Sequence, residues 1–195
     1  MKLSRTTLPT AVAVAALACA AVAVTPTLAQ MKPEPTVMVG GAPMYPSKNI
    51  IENALKSKDH TTLVAAVKAA GLVDTLQGAG PFTVFAPTNA AFAKLPKGTV
   101  ESLLRPQMKE NLVAVLTYHV VPGRLSAKDL TDAAKMNGGR AKLKTVEGEE
   151  LTVEAKNNTL TIWDAKGGAS KVTIQNVFQS NGVIHVVDSV LLPSS

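Results

Sequence analysis

The stretch Phe82-Thr-Val-Phe-Ala-Pro-Thr-Asn-Ala-Ala-Phe-Ala-Lys-Leu-Pro96 decides the fold. Thr83–Phe85 has the β-branched and aromatic character of a short strand, and Pro87 halts it. Thr88 follows where a side-chain oxygen can cap a helix, and Phe92 falls on that helix's apolar face. Much further along, Asn181-Gly-Val-Ile-His-Val-Val-Asp-Ser-Val-Leu-Leu-Pro193 reads as a tight Asn-Gly turn leading into a nearly continuous apolar run. Such a run is expected of a strand buried on both faces. Neither stretch holds a nucleophile, a paired acid and base, or a ligand cluster. Between them lies Tyr118-His-Val-Val-Pro-Gly123.

Upstream of the first stretch the pattern is helical. Ser47 is placed to cap a helix with Ile50, Ile51, Ala54 and Leu55 on one side. Asp59 is placed to cap a second, with Leu63, Val64, Val67 and Ala70 inward and Gly71 at its end. A short apolar turn, Leu72 to Leu76, follows. Thr99 opens another short helix. Pro106 suits the first turn of the next, where Met108, Leu112, Val115 and Leu116 recur at i, i+4, i+7 and i+8.

Downstream the period changes to two. Leu151, Val153 and Ala155 alternate with polar residues, and Asn157-Asn158 is a plausible turn. That register sets Ala155 against Leu160 and Val153 against Ile162, with Thr152 and Trp163 on the other face. A turn at Asn181-Gly182 sets Phe178 against His185 and Val177 against Val186. Helices first and antiparallel strands later predict an α+β domain.

Bulk properties narrow the function. A chain of 195 residues is a one-domain prospect. It is 46% hydrophobic but only 4% aromatic, so its core is aliphatic. Lys2 and Arg5, then the apolar run Ala11 to Val24, then Thr27-Leu-Ala29 before Gln30, make residues 1–29 an export signal. The apolar run falls short of the roughly 18–20 residues of a membrane span. Removing the signal lowers the formal charge from +6 by the two positive residues, to +4. No basic stripe with stacking aromatics is present, which argues against nucleic acid.

Cys19 is the only cysteine. An acylated Cys19 is the alternative to ordinary cleavage, but the Leu of Ala16-Leu-Ala-Cys19 stands one place too late for a lipobox. After cleavage no cysteine remains, so disulfides, thiol catalysis and thiolate metal sites are excluded.

Residues 30–46 carry Pro33, Pro35, Pro43, Pro46 and Gly40-Gly41, and read as a linker arm rather than a packed element. Its Met31, Met38 and Met44 are soft enough for Cu(I). An adaptable apolar strap is the simpler reading. The three histidines are the candidates for proton transfer or metal binding. His60 sits at a predicted helix start and is expected to be exposed. His119 and His185 have apolar flanks, which suit hydrogen-bonded, partly buried histidines. No phosphate loop, dinucleotide fingerprint, nucleophile elbow or metalloprotease helix occurs.

The segments at 82–96, 118–123 and 181–193, in that order, resemble the fasciclin domain, an extracytoplasmic adhesion and interaction module. The resemblance covers roughly Pro46 to Pro193. It implies a compact β-sandwich with helices packed around it over residues 47–193. It also implies a non-enzymatic protein, without cofactor or metal, that meets a protein or glycan partner in the periplasm, cell envelope or matrix. Carried over by position, Tyr118 and His119 would contact a partner, as would Asn176 and Val177, where family members carry an Asp-Ile pair. The alternative for Tyr118 and His119 is that they lock a strand by packing. Asn176 lacks the carboxylate of that pair, and Ala90 stands where many members are acidic. Some fasciclin-like proteins carry an apolar small molecule, so a carotenoid or lipid is the second ligand class.

Overall fold

The computed structural model describes residues 35–157 and 159–194. The expected export signal, Cys19 and Met31 lie outside the described residues.

Residues 37–44, expected within an unpacked arm, form a hairpin of β1 (Val37–Val39) and β2 (Ala42–Met44), with Val37 paired to Met44. Val39 and Met44 are buried while Met38 points to solvent. Gly40 and Gly41 form the turn and Pro43 pairs with the outward Met38, while the apolar Val39 and Met44 pack. Of the three methionines read as an apolar strap, Met44 packs, Met38 does not, and Met31 lies outside the described residues.

The helical half runs α1 (Ile50–Ala54), α2 (Thr61–Ala70), α3 (Val73–Gln77), strand β3 (Phe82–Pro87), α4 (Asn89–Ala93), α5 (Thr99–Leu103) and α6 (Lys109–Tyr118). The cap of α1 is Asn49, not Ser47. Its side chain accepts from the Glu52 N–H while Glu52 accepts from the Asn49 N–H, a reciprocal box. Asp59 caps nothing, because a 3-10 turn over Lys58–His60 precedes α2. That helix is started by Asn89, whose Oδ1 accepts from the Thr62 N–H at 3.0 Å. Gly71, left-handed at φ 74°, ends α2 as expected. Thr88 caps α4 through the Ala91 N–H, also as expected.

The second half comprises β4 (Val120–Pro122), α7 (Ala127–Met136), β5 (Arg140–Lys144), β6 (Glu150–Lys156), β7 (Thr159–Trp163), β8 (Ala169–Gln179) and β9 (Gly182–Val187). Seven strands form one mixed sheet in the order β4-β3-β9-β8-β7-β6-β5. The β6–β7 register pairs Ala155 with Leu160 and Val153 with Ile162, as read from alternation. Two far-separated signature strands, β3 and β9, lie side by side and parallel, Phe82 against Gly182 through Pro87 against Val187. The other pairs in this sheet are antiparallel.

The β8–β9 turn differs by two residues from the expected register. Val177 faces Ile184 and Phe178 faces Val183, so Ser180 and Asn181 form the loop. Gly182 belongs to the strand. A Cβ there would come within 2.2 Å of the Phe82 carbonyl oxygen, so glycine serves close backbone approach rather than turn geometry. Asn181 is held by its side chain, which accepts from the Ile50 N–H and donates to the Leu76 and Gly78 carbonyls.

The long strand β8 shifts register twice, between Val172 and Val177, and turns the sheet back on itself. The Val146 N–H reaches the Val120 carbonyl at 2.8 Å and ties the two ends of the sheet together. One core lies inside this wrap, built from Phe85, Leu151, Val153, Ile162 and Val187, with Leu130 of α7 beside them. A second lies outside it, where Val84, Ala86, Ile184 and Val186 meet α1, α2 and α6. The central strands separate the two cores, which is why β9 is buried at every position. Each fully buried Val or Ile contributes roughly 1.5–3 kcal/mol.

Candidate functional site

Tyr118 ends α6 and His119 follows as its C-cap; they do not sit in a strand. Both are buried, at 0% and 2% exposure. The Tyr118 hydroxyl donates to the Glu150 carbonyl at 3.1 Å and accepts from the Ala165 N–H at 2.9 Å. His119 Nε2 accepts from the Leu191 N–H at 3.0 Å, so the ring proton sits on Nδ1 and goes to the Val115 carbonyl at 2.7 Å. The His119 carbonyl accepts from the Phe85 N–H. This pair therefore fastens the end of α6 to β3, β6, the turn after β7 and the C-terminal segment. Burial pushes the His119 pKa down to about 4, so the ring is neutral at pH 7.

Val177, at 1% exposure, faces inward opposite Ile184. Asn176 is half-buried and left-handed at φ 58°, inside the irregular part of β8. Its Oδ1 accepts from the Ala127 N–H at 2.7 Å, at the first turn of α7. Asn suits this position because it tolerates a left-handed backbone and its short amide reaches a helix start. Tyr118, His119 and Val177 thus present no surface to a partner, and Asn176 is engaged inside the fold. His119 and Val177 share the walls of one cavity, whereas Tyr118 belongs to the other core.

The other two histidines are also buried. His185 Nε2 bonds the Leu125 carbonyl at 2.9 Å, and its ring stacks against Phe85 with centroids 5.9 Å apart. Thr83 secures the same loop, donating to the Gly123 carbonyl and accepting from the Leu125 N–H. His60, expected at the surface, is 3% exposed. It lies three and seven residues before Leu63 and Val67, on the inward face of the chain entering α2. That spacing was the signal for its burial. The adjacent Asp59, Thr61 and Thr62 masked it. Burial lowers the pKa of both His60 and His185.

An apolar cavity lies between the β1–β2 hairpin, α1, α2 and the central strands. Its volume is small, about 40 Å³. Its walls include Val39, Met44, Ile51, Val67, Val84 and Ile184, and His60 and His119 also line it. Among the described residues, no group of three His, Cys, Asp or Glu is placed to hold a metal ion. No described helix is long and apolar enough to cross a membrane.

The family model of the Fasciclin domain matches residues 58–193. The chain belongs to the fasciclin-domain family. Within it, this fasciclin domain is 46% identical to Protein sll1483 of Synechocystis, over 86% of this chain and 88% of that protein. It is 35% identical to the immunogenic protein MPB70 of Mycobacterium bovis, over 99% of each. It is also 35% identical to transforming growth factor-beta-induced protein ig-h3 of Sus scrofa, covering 77% of this chain but 20% of that longer protein. Among solved structures, a FAS1 domain pair from the insect cell adhesion molecule Fasciclin I superposes with a TM-score of 0.68. The match covers 76% of this chain and 52% of that one. At 20% identity that likeness speaks for the fold alone.

Proposed function

We propose that this fasciclin domain is an exported, non-enzymatic interaction module. It binds a protein or glycan partner at the cell envelope or in the surrounding matrix, in the periplasm or outside the cell. The observation that supports this reading most is how the family's segments are spent. Tyr118, His119, Thr83 and Asn89 are all engaged in joining elements of the fold. The histidines are buried and neutral, which suits a rigid scaffold better than a proton-transfer site. In this reading Tyr118, His119, Asn176 and Val177 serve partner binding by holding the presented surface in shape, not as contacts.

The test is saturable binding of labelled, signal-free protein to envelope preparations from its own source, with unlabelled protein as competitor. Binding that saturates and competes supports the module. Linear, non-competable uptake sinks it.

A second reading is a carrier of an apolar small molecule, supported by the cavity beside the hairpin. Native mass spectrometry with an absorption spectrum, on protein purified from its own source, decides here. A bound mass of one apolar molecule promotes the carrier. A clean apo mass counts against it.

A further inference from the structure

The helices cover the outer face of the sheet over β3 and β9, and leave it bare over β5, β6, β7 and the start of β8. Every charged residue of these four strands falls on the bare face, because alternation sends Leu151, Val153, Ile162 and Val172 to the core side. Five are cations: Arg140, Lys142, Lys144, Lys156 and Lys171. Two are carboxylates, Glu150 and Glu154. No run of basic residues announces this surplus in the sequence; strand register gathers it. Arg140 stands opposite Glu154, Glu154 opposite Thr161, and Thr161 opposite Lys171, so one row crosses all four strands over about 14 Å.

The middle of the face is held in place by the chain's one tryptophan. Trp163 Nε1 donates to Glu154 Oε2 at 2.7 Å. The Arg140 guanidinium lies over the Trp163 ring, 5.5 Å from its centroid, and one of its nitrogens lies 3.5 Å from the same carboxylate oxygen. Stacking fixes the plane of the guanidinium and leaves most of its five N–H donors unspent. Lys142 pairs with Glu150 at 2.9 Å. Among the described residues, Lys144, Lys156 and Lys171 have no ion-pair partner, and no protein group bonds the hydroxyls of Thr152, Thr159 and Thr161 between them.

We propose that this face binds an acidic polysaccharide, a polymer of uronic acid residues. The inference rests on the interaction-module reading and adds to it a partner class and a site. The planar fork of Arg140 matches a carboxylate, and the unpaired lysines spread positive charge along the path of the polymer. The free threonine hydroxyls suit the hydroxyls of a sugar chain. A protein partner fits less well, because its binding energy would need aromatic or aliphatic anchors set in pockets. The one large apolar side chain here, Trp163, is half-buried and already engaged. Single-stranded nucleic acid calls for several stacking platforms, and the one ring present carries Arg140.

The experiment titrates signal-free protein with polygalacturonate, with neutral dextran and with single-stranded DNA of equal total charge. Polygalacturonate is expected to bind, more weakly as salt is raised, dextran not to bind, and DNA to bind at least about tenfold more weakly. Lys144→Glu, Lys156→Glu and Lys171→Glu combined should weaken polygalacturonate binding about tenfold or more, with an unchanged thermal midpoint. The same change at Lys56, Lys97 and Lys109, which lie in the helical half, should leave it as it is. Arg140→Lys, which keeps the charge and loses the fork, should weaken it about threefold. Absence of polygalacturonate binding, or equal losses from the two triple variants, overturns the site. DNA binding as tight as polygalacturonate overturns the partner class. The envelope assay separates this from the module reading. Saturable envelope binding that the face variant leaves unchanged overturns the face and keeps the module, whereas linear uptake of wild type sinks the module itself.

Discussion

Tyr118 has no exposed surface, yet its hydroxyl serves two backbone groups, one in β6 and one in the turn after β7. Tyr118→Phe keeps the ring and strands both groups. A loss of about 2 kcal/mol is expected, read as a lower urea midpoint with an unchanged m-value. His119 makes the domain sensitive to acid. Its folded pKa of about 4 lies below the 6.5 of an exposed histidine, so the unfolded chain takes up the proton first. Stability is therefore full above pH 6.5 and declines as the pH falls towards 4, by about 3 kcal/mol from this group. Protonated Nε2 can no longer accept the Leu191 N–H. His60 and His185 are shifted the same way and steepen the decline. Thermal melts from pH 7.5 to 4 check this, and His119→Gln should flatten the profile.

At the scale of elements, signature residues act at a distance. Asn89 belongs to α4 but starts α2, accepting from Thr62 and donating to the Lys58 carbonyl. Asn89→Ala should cost about 1 kcal/mol and loosen the first turn of α2, measurable as faster amide exchange at Thr62 and Leu63. Gly182→Ala places a methyl against the Phe82 carbonyl and should cost about 3 kcal/mol or prevent folding. A midpoint within error of wild type would show that β3 and β9 can separate without penalty.

What was legible in the sequence follows from the range of each cause. The strand–Pro87–Thr88 cap and the Asn157 hairpin were readable because alternation and capping act over a few neighbours. The parallel β3–β9 pair was not, since its partners are far apart and leave no local pattern. The turn at 181 was misplaced because Asn-Gly is a strong hairpin signal. Here its Asn is anchored to α1 and α3, and its Gly is needed inside the strand. Of the four residues selected by resemblance, Tyr118, His119 and Val177 are buried by packing between elements far apart in the chain, which no local pattern announces.

For the whole molecule, two aliphatic cores on either side of one wrapped sheet do the work that disulfides do elsewhere. The pairing of β3 with β9 also sets a timetable. Among the described strands β9, which joins β3 to β8, comes last in the sequence, so a chain that has left the ribosome only as far as Asn181 lacks the strand that links β4 and β3 to the rest of the sheet. Such a stalled chain should be digested readily by protease, while the finished chain resists.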